Sequence, residues 1–310
     1  MANKKQSRQE NTEQVEQPEQ IQESVADKIQ RTLDELKDSL LITDSRIGEF
    51  LVYKNDAIIS KAIDMFGEYC HAEIDIIKTY ITEVPEMQEM AVYVDVGTNI
   101  GYHAVGVHKV TGCNVIGMEP NPKHFAVASY NSKDYGKVQI INAGASATDG
   151  EFKMKDFDPN NEGNYGDIHK SDSGELTIKT IAIDNLNLNR ATVMKYDVEG
   201  HEYEALLGSE KTISKNRPVI MYEAMEWDVW NKCYDFLDER KYKQYWVACK
   251  TKPVRPTHKP SEENPFGAST VANILAIPAE RKQPDYLVEV VPGEPFGTCF
   301  RRYQKMQIIF

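Results

Sequence analysis

The sequence predicts an α/β domain with a mostly parallel sheet, helices on both faces and a C-terminal antiparallel strand pair. Three observations predict it. From residue 90 onward, short β-branched runs alternate with stretches of helical periodicity. Several of those runs stop at a glycine, a proline or an acid. The order strand–helix–strand–helix–strand implies parallel strands joined by right-handed crossovers.

Residues 90–97 read as a buried strand stopped by glycine, and 100–110 as the helix after it. Residues 114–119 form a second strand closed by Pro120 and Pro122. A helix over 123–133 leads to a third strand, 138–142. The rhythm then changes. Strands at 151–154 and 176–183 flank a Gly/Asn/Asp-rich loop, 159–174, which predicts an inserted hairpin rather than a crossover helix. The α/β rhythm resumes with strand 192–197, helix 202–214, strand 218–223 and helix 227–240. Late strands at 244–248 and 270–278 flank a long Pro/Lys-rich loop, 250–269, and loops that long are usually functional or disordered.

Ahead of this domain, placed at 90–280, the pattern is looser. Residues 1–20 are polar and rich in Gln and Glu, and are expected to be a disordered tail. Ile21, Val25, Ile29, Leu33, Leu36 and Leu40 fall on one stripe and predict an amphipathic helix over 21–45. A coiled coil would want more heptads, so docking on the domain is expected over dimerisation. Residues 46–89 form a lead-in with a helix around 72–80, and 281–310 an extension without clear pattern.

Composition narrows the function. With 36 basic against 48 acidic residues the net charge is −12, which is poorly suited to neutralising phosphates, so nucleic acid is an unlikely substrate. The 41% of hydrophobic residues can bury a substantial core, yet no run of eighteen apolar residues exists to span a membrane. The N-terminus has no apolar stretch behind its basic residues, unlike a secretory signal. Cys70, Cys113, Cys233, Cys249 and Cys299 are odd in number and form no C-x-x-C pair, which predicts a reducing, cytoplasmic setting without disulfides or zinc.

The sharpest chemical signal is Asp95-Val-Gly97-Thr-Asn99-Ile-Gly101 at the end of the first strand. Glycine lets the backbone approach a nucleotide cofactor, and the helix that follows presents free amides. The spacing is G-x-x-x-G preceded by Asp, the form expected for a methionine-type cofactor rather than the pyrophosphate of G-x-G-x-x-G. Glu119 ends the second strand, 24 residues after Asp95, where a carboxylate can accept from both ribose hydroxyls. Asn142 ends the third, where the edge of an adenine would lie. A second constellation, Lys195-Tyr-Asp197-Val-Glu199-Gly-His201-Glu202, stands where a strand meets a helix and should face the same crevice.

These segments, Asp95–Gly101, Glu119-Pro-Asn-Pro122, Asn142-Ala-Gly-Ala-Ser146 and Asp197-Val-Glu-Gly-His-Glu202, resemble the FkbM-type methyltransferase family in order and spacing. The resemblance covers roughly residues 90–225, and the Asp-Val-Glu-Gly-x-Glu motif is its specific element. It implies a seven-stranded Rossmann-like class I methyltransferase fold that binds S-adenosylmethionine and transfers its methyl, usually to oxygen. Asp95, Gly97, Asn99 and Gly101 would line the cofactor's methionine part. Glu119 would hold the ribose, Asn142 would lie near adenine and Asp197 would sit by the reactive methyl. The family's acceptors include sugars and polyketide hydroxyls, so the family does not name the substrate.

A hydroxyl acceptor needs a general base, and Asp197, Glu199 and His201 are the candidates. The same three could instead hold a divalent cation, but no spacing supports a metal site. Tyr165, and Trp246 with the 250–269 loop, are candidate walls of an acceptor pocket. The expected function is O-methylation of a sugar, glycan or other small-molecule hydroxyl. The alternatives are a protein or RNA methyltransferase, and a non-catalytic cofactor-binding module recruiting a partner through its N-terminal helix.

Overall fold

The computed structural model describes residues 23–254 and 258–294. The polar tail expected at 1–20, Ile21, Cys299 and the end of the C-terminal extension lie outside the described residues.

Helix α1 (Val25–Leu36) starts at Ser24, whose hydroxyl oxygen accepts from the Asp27 amide. It packs on α5 (Pro122–Ser132), and Leu36 is buried against the domain. The helix is shorter than the expected 21–45. A 3₁₀ turn at Lys37–Ser39 ends it, and Leu40 belongs instead to strand β1 (Leu40–Ser45) of a hairpin with β2 (Gly48–Tyr53). The lead-in continues through α2 (Ile59–Phe66) and α3 (His71–Ile81), and Ile63, Ile74 and Ile77 share a core with the main domain.

The expected cadence follows as β3 (Val92–Val96), α4 (Tyr102–Thr111), β4 (Asn114–Met118), α5 and β5 (Val138–Ile141). Next come β6 (Gly144–Ala145), β7 (Gly150–Met154) and β8 (Leu176–Ile181), which make the inserted hairpin part of a separate three-stranded sheet. The domain closes with β9 (Val193–Tyr196), α6 (Glu202–Leu207), α7 (Glu210–Asn216), β10 (Val219–Glu223), α8 (Trp227–Glu239), β11 (Tyr242–Lys250), β12 (Thr270–Pro278) and β13 (Val288–Glu289). The single helix expected over 202–214 is two. The break falls at Gly208, where only glycine fits because a Cβ would lie 2.0 Å from the Ser146 carbonyl oxygen.

The main sheet runs β13-β11-β12-β10-β9-β3-β4-β5. Strands β5, β4, β3, β9 and β10 are parallel, and β12 runs antiparallel to both β10 and β11. This is the mostly parallel Rossmann-like sheet, its seven strands extended by the two-residue β13. Strand alternation gives the sheet two apolar faces. Tyr93, Val193 and Met221 pack with α3 and α4, whereas Val94, Met194 and Ile220 pack with α6, α7 and α8. Among the described residues no helix is long and apolar enough to cross a membrane.

Trp246, an expected pocket wall, is fully buried instead, edge-on to Trp230 at 5.4 Å. Trp230 is equally enclosed and also meets Trp227 at 5.0 Å. Trp230→Ala should therefore lower unfolding free energy by about 3–5 kcal/mol, read as a lower urea midpoint at constant slope. A loss below about 1 kcal/mol would show that this face is not the close-packed core described.

Candidate active site

The site begins where β3 ends. Gly97 has φ +87°, and a Cβ there would fall 1.7 Å from the Asp197 carbonyl oxygen, so no side chain fits between the two loops. The Gly97 and Thr98 amides donate to the Met118 carbonyl oxygen at 2.9 and 3.0 Å, folding the turn over β4. Asn99 follows at φ +51°, a conformation Asn tolerates better than most residues, and its Oδ1 accepts from the Ile100 amide. Gly101, at φ +89°, opens α4 and lies against Ala128 of α5, away from the cavity wall.

Asp95 is buried beneath this turn and does not line the cavity. The Tyr93 hydroxyl donates to its carboxylate at 2.7 Å and the Thr98 hydroxyl at 3.0 Å. Burial raises its pKa, while Lys195 and the two hydroxyls oppose the rise. Its position makes it a brace for the turn.

Glu119 faces the turn from the end of β4. One carboxylate oxygen accepts from the Asn99 amide and the other from the Asn121 amide, both at 2.8 Å. Each oxygen keeps a lone pair, and the carboxylate lines the cavity. Asn142 does not reach that cavity. Its side-chain amide donates to the Glu119 and Pro120 carbonyl oxygens at 2.9 and 3.0 Å, so it supports the Glu119 turn from outside. Gly144, Ala145 and Phe152 line the wall that the sequence assigned to Asn142.

The opposite side is built on β9. Register pairs Lys195 with Asp95 of β3, which turns both side chains toward α3. The Lys195 ammonium donates to Asp197 at 2.6 Å and lies 3.6 Å from Glu73 of α3. Burial by itself would lower the lysine pKa, but Asp197, Glu73 and Asp95 more than offset this and raise it. Glu73 also accepts from the Asn273 amide at 2.9 Å, and burial pushes it up to about 7.

Asp197 and Glu199 meet Glu223 at the end of β10, with carboxylate oxygens within 4.8 Å of one another. Burial first, then repulsion from Asp197 and their neighbours, pushes Glu199 up to about 9 and Glu223 up to about 10. His201 lines the same cavity but does not join these acids. Its Nε2 lies 3.2 Å from Ser146 Oγ, its ring sits near Phe152, and burial holds its pKa below the ordinary value. Glu202 accepts from the Val198 and Gly200 amides and shapes the loop. Tyr165 lines the cavity as expected, stacked on Phe157 at 4.3 Å.

Sequence reasoning missed Glu73, Glu223, Asn121 and His124. The last two line the cavity beside Glu119, and their Nδ2 and Nε2 atoms are buried without a partner among the described residues. The Glu119-Pro-Asn-Pro run already carried Asn121; Glu73 had no comparable signal.

The raised acids make stability depend on pH. Above about 4.5, the ordinary glutamate value, the folded chain holds protons on Glu199 and Glu223 that the unfolded chain has lost, so stability falls as pH rises toward about 9 to 10. Glu223→Gln should flatten that fall between pH 6 and 9 by up to about 1.4 kcal/mol per pH unit in urea titrations. An unchanged slope would show that Glu223 is not held protonated by its surroundings.

With this geometry in hand, comparison with known proteins agrees with the sequence motifs. Hexuronic acid methyltransferase AglP of Haloferax volcanii is 35% identical over 154 residues, which are 48% of this chain and 61% of that protein. Sterol 24-C-methyltransferase of Kluyveromyces lactis is 28% identical over 120 residues, 34% of this chain and 31% of that protein. The chain thus spans less than two thirds of these relatives. A crystal structure of methyltransferase FkbM from Methylobacillus flagellatus KT shares 18% identity with a TM-score of 0.40, covering 60% of this chain and 43% of that one. Residues 95–245, which hold the glycine turn, Glu119 and the Asp197–Glu202 motif, match the family described as methyltransferase FkbM domain.

Proposed function

We propose that this chain is an S-adenosylmethionine-dependent methyltransferase acting on a hydroxyl oxygen of a sugar or glycan. One observation carries the reading: a single cavity runs from Glu119, past the Gly97–Asn99 turn, to Asp197 and Glu199. Such a cavity sits at the carboxyl ends of parallel strands, where ligands bind in this architecture. The name of the AglP relative supplies the sugar class.

The residues present suit the donor. Glu119 would hold the ribose hydroxyls with its remaining lone pairs, and the unpartnered Asn121 Nδ2 and His124 Nε2 offer further polar contacts beside it. Gly144, Ala145 and Phe152 give an apolar wall for a base, and the Gly97–Asn99 backbone would face the methionine part. When bound, S-adenosylmethionine supplies a methyl group on a sulfonium that is its own leaving group.

The protein's share is to orient the acceptor and take its proton. Glu199 is the best-placed base. Its carboxylate has no hydrogen-bond or ion-pair partner among the described residues, whereas Asp197 is engaged by Lys195 and His201 turns to Ser146. Glu199 takes the proton in its ionised form, whose share grows as pH rises toward about 9, and Asp197, fixed by the lysine, orients the hydroxyl. The four described cysteines are free and buried, which suits a reducing compartment such as the cytoplasm.

Glu119→Ala should weaken S-adenosylmethionine binding by at least about tenfold in calorimetry while the chain stays folded; unchanged affinity would move the donor elsewhere. Glu199→Gln should lower kcat by about 10²- to 10⁴-fold with donor affinity kept. A kcat within threefold of the parent would remove Glu199 as the base.

A further inference from the structure

The loop between β7 and β8 runs over the reactive end of the cavity and is tied down on both sides. On one side the Gly163 amide donates to the Asn55 carbonyl oxygen at 3.1 Å, and the Gly163 carbonyl oxygen accepts from the Ala57 amide at 2.8 Å. Tyr165, Gly166 and Ile168 then line the cavity. On the other side the loop ends on the backbone of the proposed base, where His169 Nδ1 donates to the Glu199 carbonyl oxygen at 2.9 Å. His169 Nε2 lies 2.5 Å from a carboxylate oxygen of Asp167. Both partners are acceptors, so each ring nitrogen is spent on a neighbour and neither is left to take a proton from a substrate. His169 is not a second base.

Glu199 needs such a tie. Its φ is +50°, a left-handed conformation that glutamate rarely adopts, and Gly200 follows at φ +86°. Backbone strained in this way persists only where its surroundings over-determine it. Glu202 holds the turn by its amides, accepting from Val198 at 2.9 Å and from Gly200 at 3.3 Å. His169 holds the carbonyl between them. Release of Glu199 into ordinary backbone would rotate its Cα–Cβ bond. Its carboxylate would then leave the place where its oxygen lies within 4.8 Å of those of Asp197 and Glu223.

We infer that His169, oriented by Asp167, is a positioning residue that latches the inserted loop onto the Glu199 backbone and so holds the base toward the acceptor hydroxyl. The inference rests on the proposed reading of Glu199 as the base of a sugar methyltransferase. It gives the inserted hairpin a task in the reaction, because covering the cavity and aligning the base become one event.

The test uses the full chain, S-adenosylmethionine, and methyl glycosides of a hexose, a hexosamine and a hexuronic acid, keeping whichever the parent methylates fastest. His169→Ala should lower kcat by at least about tenfold, while calorimetric donor affinity stays within about threefold. His169→Asn, whose side-chain amide can donate from the place of Nδ1, should recover most of the loss. In the Glu199→Gln background His169→Ala should cost less than about threefold, since a residue acting through Glu199 has nothing further to align. Amide exchange read by mass spectrometry reports the latch without an acceptor. His169→Ala should speed exchange at residues 198–200 by at least about tenfold, with α3 and α4 unchanged. Equal losses in the alanine and asparagine variants, a full further loss in the Glu199→Gln background, or unmoved exchange would each overturn the inference alone. A parent chain that binds no S-adenosylmethionine, or binds it and methylates none of the three sugars, would instead overturn the sugar methyltransferase reading.

Discussion

Among the described residues Lys195 is the only buried lysine or arginine, and three carboxylates from three elements converge on it. Asp95 acts on it from the facing position of β3, Glu73 pairs with it from α3 and Asp197 from the loop after β9. Removing the ammonium would leave the buried Asp95 and Glu73 and the partly exposed Asp197 uncompensated, and breaking even one buried pair typically costs about 3–5 kcal/mol. Each partner does a second job as well. Asp95 braces the glycine turn through Thr98, Glu73 ties α3 to β12 through Asn273, and Asp197 presents its carboxylate to the cavity. The lysine thus couples the lead-in segment, the turn and the reactive end of the site.

The turn transmits this order to the other end. Gly97 lies so close to the Asp197 backbone that the loops after β3 and β9 pack directly on each other, and the Asn99 amide ties the same turn to Glu119. The cavity therefore has a fixed span between an acid able to grip a diol and a group of acids able to take a proton. The acids beyond Asp197 are not neutralised by Lys195, and their raised proton affinity follows from burial and mutual repulsion. Such a place favours a cation, and a sulfonium is one.

Much of this could be read from the residues. The strand–turn–acid pattern located Gly97, Asn99 and Glu119, and the Asp197–Glu202 motif located the opposite wall. What escaped depends on contacts remote in sequence. Glu73 matters because it meets Lys195 and Asn273, 122 and 200 positions away, and no local pattern marks a helical glutamate as buried. Asn142 stands at the expected strand end, yet its amide serves two carbonyl oxygens on the neighbouring turn, a choice that only packing decides. Leu40 continued a helical stripe but pairs with Tyr53, because Lys37–Ser39 turns the chain without a glycine or proline to announce it. Gly208 stands at the break that a continuous helix over 202–214 overlooked, and its close approach to Ser146 explains why it must be glycine.

The central claim is that Glu119 and the Asp197–Glu199 pair serve one bound molecule across the glycine turn. A crystal structure with S-adenosylhomocysteine tests it most directly. The account predicts ribose oxygens on the Glu119 carboxylate and the thioether sulfur beside Asp197, with Gly97 between them. Density for the nucleoside anywhere that leaves Glu119 untouched, or that places the sulfur away from Asp197, would contradict it.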